Sequence, residues 1–148
     1  MNKGGKKYLN LIKEIDWNNS KDIQKKAIDK ILKDDEFDLE KITLSKVEKN
    51  LWYNCSKILI SKGYPKNKKV IDEMFLWLQD MNWPGAKEIY DYLPTLPKEI
   101  FMKHYEIAVK KAIIENDVLW LEFLSCYISD FNLTEKDFNE KNLFNELI

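Results

Sequence analysis

One histidine and two cysteines are the side chains of this 148-residue sequence best suited to nucleophilic or metal chemistry. His104 lies four residues after Ile100 and three before Ile107, so helical periodicity sets it beside an apolar stripe. A histidine works as a general base only with a nucleophile and an orienting acid at hand, and no residue at helical spacing supplies either. A structural ring, held by a hydrogen bond, is the expectation. Cys55 and Cys126 are far apart, outside any Cys-x-x-Cys pair and embedded in apolar helical patterns, so both read as buried thiols. No ligand spacing suggests a metal, and no cofactor motif is present.

Two further constellations could do chemistry. Gln79, Asp80, Asn82 and Trp83 could line a polar pocket, although short polar side chains beside a corner more commonly hydrogen-bond the turn's own backbone. Glu122, Ser125 and Ser129 share one helix face but lack the glycine-flanked elbow that would expose a serine nucleophile, so they read as a solvated edge. Asp34-Asp35, Asp72-Glu73 and Glu135/Asp137 are paired acids in an acid-rich composition, and without a pocket they carry no acid/base chemistry. The chain reads as non-enzymatic.

Binding chemistry is better represented. Asp34, Asp35, Glu36, Asp38 and Glu40 put five carboxylates into seven positions, with Phe37 and Leu39 between them. Such a patch would steer a basic protein toward the loop, and the two apolar side chains could anchor it. The competing reading is a solvated acidic linker with Phe37 and Leu39 tucked into the core. Lys66, Lys68, Lys69, Lys110 and Lys111 suggest the alternative, a surface that tracks nucleic-acid phosphates. Acids dilute these lysines, the formal net charge is −1, and no arginine is present to make bidentate base contacts. A protein partner is therefore preferred to nucleic acid.

The elements that must position these groups are helical throughout. Tyr8, Leu11, Ile12 and Ile15 form one stripe, and Ile23, Ala27, Ile28 and Ile31 form a second. Ser45-x-x-Glu48 reads as a capping box opening a third helix that buries Val47, Leu51, Cys55, Ile58 and Leu59 and stops at Gly63. A helix from about Lys68 to Met81 must be covered on two sides, and Pro84 suits the first turn of the next. Ile100 to Ile114 follows after a corner at Thr95 and Pro97. Val118 to Phe131 is apolar nearly all round and is expected to be the most buried helix, and Thr134-x-x-Asp137 can start the last. The prediction is one all-α domain, residues 1–148, of seven or eight helices. The apolar run Tyr8 to Ile12 is too short for a signal peptide and nothing resembles a membrane span, so a cytoplasmic location is expected.

Trp17 and Trp83 give an internal echo: Asn18-Asn19-Ser20-Lys21-Asp22-Ile23 follows the first, Pro84-Gly85-Ala86-Lys87-Glu88-Ile89 the second. Both fall at predicted corners, as a repeated helical hairpin would require. On this reading Trp83 ends one helix and covers the turn, while Gly85 and Ala86 allow close approach.

The string WLQDMNWPGAKEIYDYL, preceded by Gly63-Tyr64-Pro65 and followed by NDVLWLEFL at Asn116 to Leu124, resembles a family of small bacterial proteins of uncharacterised function. Those proteins carry a HEAT-like helical-repeat domain with a Trp-Leu-Gln-Asp-x-Asn-Trp-Pro signature, and the likeness covers about residues 62–128. The resemblance implies antiparallel helical hairpins in an α-solenoid-type array over residues 62–148; residues 1–61, N-terminal helices outside the likeness, either extend that array or cap it as a divergent repeat. It carries over no catalytic residue. By analogy with families found near toxin genes, it implies an immunity-type protein that binds and neutralises a basic toxin domain.

Overall fold

The computed structural model describes residues 3–148, with side chains from Tyr8 onward. Helical periodicity is obeyed along this whole length: there are eight α-helices and, among the described residues, no strand. They are α1 (Lys3–Glu14), α2 (Lys21–Lys33), α3 (Lys49–Lys62), α4 (Ile71–Phe75), α5 (Ala86–Tyr92), α6 (Lys98–Ile114), α7 (Val118–Asp130) and α8 (Asn142–Glu146). Short 3₁₀ turns supplement them. The chain forms two compact units, Met1–Val70 and Ile71–Ile148.

In the first unit, α1 packs on α2 and α2 on α3. The core takes Leu11 from α1 and Ile15 from the turn just after it, Ala27 and Ile31 from α2, and Cys55, Ile58 and Leu59 from α3. A polar knot fixes the α1–α2 corner. The Asp16 carboxylate accepts the Asn18 N–H (2.8 Å), and Ser20 Oγ caps α2 by accepting the Ile23 N–H. Buried Asn54 of α3 donates to the Ile15 carbonyl (2.6 Å) and to Gln24 Oε1 (2.8 Å), and Gln24 donates onward to the Asn19 carbonyl (2.7 Å). One amide thus ties three helices together and satisfies a carbonyl beyond the end of α1.

The expected capping box at Ser45 does not open α3. Ser45 lies in a separate 3₁₀ turn, Leu44–Lys46, and α3 begins at Lys49 after Glu48, which makes no side-chain cap bond. Burial of Ile42 and Leu44 explains the difference, because both enter the core only if the chain turns before the helix starts. The predicted stop holds: Gly63 has φ 71°, a left-handed conformation that glycine adopts without Cβ strain.

The second unit corrects several expectations. The helix foreseen from Lys68 to Met81 is in fact the short α4 followed by a 3₁₀ turn, Leu76–Gln79. Tightening the coil from about 3.6 to about 3.0 residues per turn rotates successive side chains, and Trp77 and Leu78 are buried with Ile71, Met74 and Phe75. Pro84 does not start α5. It belongs to a turn in which Gly85, at φ 90°, precedes Ala86, the first helical residue. Trp77 also fastens this corner, its indole N–H donating to the Pro84 carbonyl (3.0 Å). The corners aligned by Trp17 and Trp83 also start their helices at different offsets, at Lys21 and Ala86.

α6 is the central helix of this unit. It buries Phe101, Met102, Tyr105, Glu106, Ala108, Val109 and Ala112, and it packs against α4, α7 and α8. The Tyr105 ring meets those of Phe75, Phe101, Tyr127 and Phe138, with centroids 5.3 to 6.4 Å away. Its hydroxyl donates to the Leu124 carbonyl (2.7 Å), and Tyr127 donates likewise to Tyr90 (2.7 Å). Burial pushes both phenols well above their ordinary pKa, so they remain donors at any working pH.

α7 is not the most buried helix. Only Trp120, Leu124 and Tyr127, at i, i+4 and i+7, are buried, because α7 covers α6 and the Leu76–Gln79 turn with a single stripe. Thr134 and Asp137 do form a reciprocal capping box, but it closes one 3₁₀ turn, Glu135–Asp137, and the last helix starts later, at Asn142. The Glu106 carboxylate, 4% exposed, accepts from the Asn139 N–H (3.0 Å), Asn139 Nδ2 (3.1 Å) and the Glu140 N–H (2.8 Å).

Replacing Glu106 by Gln turns one of those acceptors into a donor facing N–H groups. Urea unfolding should show a loss of about 3 kcal/mol, the scale of charge-assisted bonds broken at a buried site; a loss within experimental error would contradict the staple. Asp137 offers a pH test, since a hydrogen bond from Lys98 and the Thr134 N–H hold its carboxyl below the usual carboxylate range. A depressed folded pKa contributes stability above the unfolded value and loses it as pH falls through the folded one. Asp137→Asn should therefore lower the melting temperature at neutral pH and reduce its fall on acidification.

Candidate functional site

The acidic loop lies in the first unit, between α2 and the 3₁₀ turn Leu39–Ile42. Its geometry is inward-looking. Phe37 and Leu39 are buried, so they serve the core and are not exposed anchors. The Asp34 carboxylate accepts the Tyr8 hydroxyl (3.0 Å) and the Glu36 N–H (2.9 Å), and Asp38 accepts the Glu40 N–H (3.0 Å). Lys66 pairs with Asp35 at 3.0 Å and holds that carboxyl below its ordinary pKa, while Lys62 donates to the Asp34 carbonyl (2.8 Å). Asp35, Asp38 and Glu40 thus face Lys62, Lys66 and Lys69 around a cleft of about 310 Å³. Glu36, Asp38 and Glu40 are nevertheless exposed residues, Asp38 and Glu40 at the mouth of the cleft and Glu36 outside its lining.

The polar group in the second unit is engaged in its own turn. Asp80 Oδ1 accepts the Asn82 N–H (2.8 Å), the Asp80 carbonyl accepts the Trp83 N–H (3.0 Å), and the Trp83 carbonyl accepts the Ala86 N–H (3.0 Å). Gln79 and Trp83 are half-buried beside it. This is the use of short polar side chains that turns demand.

His104 has a partner that sequence spacing does not reveal. Its Nδ1 is 2.6 Å from Asp72 Oδ1, and with the proton on Nδ1 the ring donates to the carboxylate. Helical spacing finds only neighbours on the same helix, whereas Asp72 comes from α4, thirty-two residues away. Asp72 also lines a cavity of about 150 Å³ with Glu73, Leu76, Ile107, Ala108, Lys111 and Trp120. None of these lining residues carries a hydroxyl or thiol, and His104 itself is not among them. The Trp120 indole N–H has no acceptor among the described residues, yet its nitrogen is inaccessible to water and cannot serve an occupant of the cavity.

The feature that the sequence concealed is the α6–α7 corner. Ile114, Val118 and Leu119 are 81%, 74% and 45% exposed, on either side of the turn Glu115–Asn116–Asp117. That turn is tight: Asn116 has φ 53°, and the Asp117 N–H reaches the Ala112 carbonyl (2.9 Å). Asp117 then caps α7 by accepting the Trp120 N–H. Glu115 and Glu122 are exposed beside the apolar side chains. Apolar residues all round α7 mask which face is buried; the acidic turn between two exposed apolar residues was the available signal.

The cysteines differ. Cys55 is buried, and burial pushes its thiol up to about 12. Cys126, expected to be buried, is exposed, because it lies off the Trp120, Leu124 and Tyr127 stripe of α7. Its thiol is also raised, by desolvation first and then by Asp130 and Glu122.

Fold and geometry together define an all-α protein whose exposed chemistry sits at helix corners and in one acidic loop. The comparison of families then places it: residues 53–147 match the family described as Domain of unknown function (DUF5071), and the chain belongs to that family. The match takes in α4 to α8 and α3 from Tyr53 onward, and leaves α1, α2 and the acidic loop outside. No curated protein and no solved structure matches the chain.

In native protein at mild alkaline pH, a disulfide thiol reagent should modify Cys126 alone, and more slowly than a free model thiol; denaturant should release Cys55. Two equally reactive thiols in the native state would contradict the burial of Cys55.

Proposed function

We propose that this chain is a non-enzymatic protein–protein interaction module that binds a basic protein domain and holds it inactive, in the manner of an immunity protein. The observation that carries the reading is the α6–α7 corner, where Ile114, Val118 and Leu119 project beside exposed Glu115 and Glu122. A soluble surface does not need such side chains grouped at one turn, and an apolar centre with a carboxylate rim fits a partner of apolar and basic surface. The exposed acids of the loop, Glu36, Asp38 and Glu40, would add steering toward the same kind of partner. A HEAT-like array of hairpins is the architecture we assign to the family's region; neighbouring helices joined by a tight turn, as α6 and α7 are, support it. A cytoplasmic location belongs to the same proposal, and no described helix is long and apolar enough to cross a membrane.

Nucleic acid is the alternative partner. Two of the lysines it would use are already engaged, Lys66 with Asp35 and Lys110 with Glu140, which favours the protein.

Tagged protein should capture one stoichiometric partner from its host's lysate after nuclease treatment. Ile114→Lys with Val118→Lys should reduce that capture at least about tenfold without lowering the melting temperature, and co-expression of the unaltered chain should relieve growth arrest caused by the partner. Capture that is indifferent to the double substitution, or lost on nuclease treatment, would contradict the proposal.

A further inference from the structure

The first unit carries a second surface whose chemistry is the reverse of the acidic loop. Between α2 and α3 runs a groove of about 510 Å³ lined by Lys21, Gln24, Lys25, Ile28, Asp29, Tyr53, Asn54 and Lys57. Gln24 and Asn54 are bonded to one another and to backbone carbonyls at the α1–α2 corner, so these two amides already have partners. Ile28 and the part-exposed Tyr53 supply the apolar lining.

Charge on the rim is one-sided, with three lysines against the single carboxylate of Asp29. Lys21 and Lys25 have no carboxylate partner among the described residues, and Lys57 lies over the Tyr53 ring, 5.7 Å from its centroid. Elsewhere in the chain lysines do find acids, as Lys66, Lys87, Lys98 and Lys110 show. An apolar trough between two helices with an unneutralised cationic rim is complementary to an amphipathic segment that presents apolar side chains inward and carboxylates outward.

We infer that the α2–α3 groove is a docking site for an acidic amphipathic segment of a partner protein, with its carboxylates set against Lys21, Lys25 and Lys57. The inference is independent of the α6–α7 corner, because it uses other residues and requires a segment of opposite charge. The family match begins at Tyr53, so Tyr53, Asn54 and Lys57 of the groove lie inside it and Lys21 and Lys25 of α2 outside. Nucleic acid fits less well, since Asp29 stands in the wall and a single tyrosine gives one stacking platform where a strand needs several.

The test is fluorescence anisotropy with a labelled synthetic peptide whose helical pattern puts leucine on one face and glutamate on the other. Three controls accompany it: the same peptide with lysine for glutamate, a labelled single-stranded oligonucleotide, and the protein with Ile114→Lys and Val118→Lys. The acidic peptide should bind, the lysine peptide should not, and the corner variant should bind as the unaltered chain does. Lys25→Glu with Lys57→Glu should weaken binding at least about tenfold, and so should Lys21→Glu with Lys57→Glu. Lys21 lies in the first turn of α2, where an acid is favoured, so a loss of binding there does not reflect a weakened helix. The inference is overturned if the acidic peptide fails to bind, if it binds the charge-reversed variants equally, or if the oligonucleotide binds more tightly through the same lysines.

Discussion

A carboxylate buried on α6 sets the terms for the rest of the second unit. An ionised group out of water is stable only when donors surround it, and Glu106 finds three of them in Asn139 and Glu140. That requirement pins the chain just after Phe138, which places the Phe138 ring against Tyr105 and the Phe144 ring against Phe138. One flank of α6 is closed in this way, and α4 and α7 close others. Because α6 is already enclosed, α7 has only one stripe to bury, and its remaining apolar side chains stay outside.

Periodicity made much of this legible. The all-α class, a count of seven or eight helices and the glycine stop at residue 63 follow from apolar spacing and the chemistry of left-handed turns. Local capping is less legible. Ser45-x-x-Glu48 has the letters of a capping box, yet burial of Ile42 and Leu44 takes the chain through a separate turn first. Pro84 has a residue type suited to a first helical turn, yet the Trp77 indole takes its carbonyl and Gly85 carries the reversal. In each case a tertiary contact outweighed a local preference that contributes only about 1 kcal/mol.

Long-range partners were invisible for a different reason. Nothing in the spacing around His104 points to Asp72, and nothing around Glu106 points to Asn139. Exposure on α7 was hidden too, because a helix that is apolar on every side gives no sign of which face meets water. The acidic loop was legible as charge but not as geometry: its apolar residues turn inward, and Lys62 and Lys66 answer part of its charge. What the loop and the corner share is exposed carboxylate, and the corner adds the apolar centre that the loop lacks.

Amide hydrogen exchange of the protein, alone and in complex with the partner it captures, tests the central claim most directly. If the corner is the binding surface, amides from about residue 112 to residue 122 exchange more slowly in the complex than in the unbound protein. Unchanged exchange across that turn, with protection confined to other elements, would contradict the account.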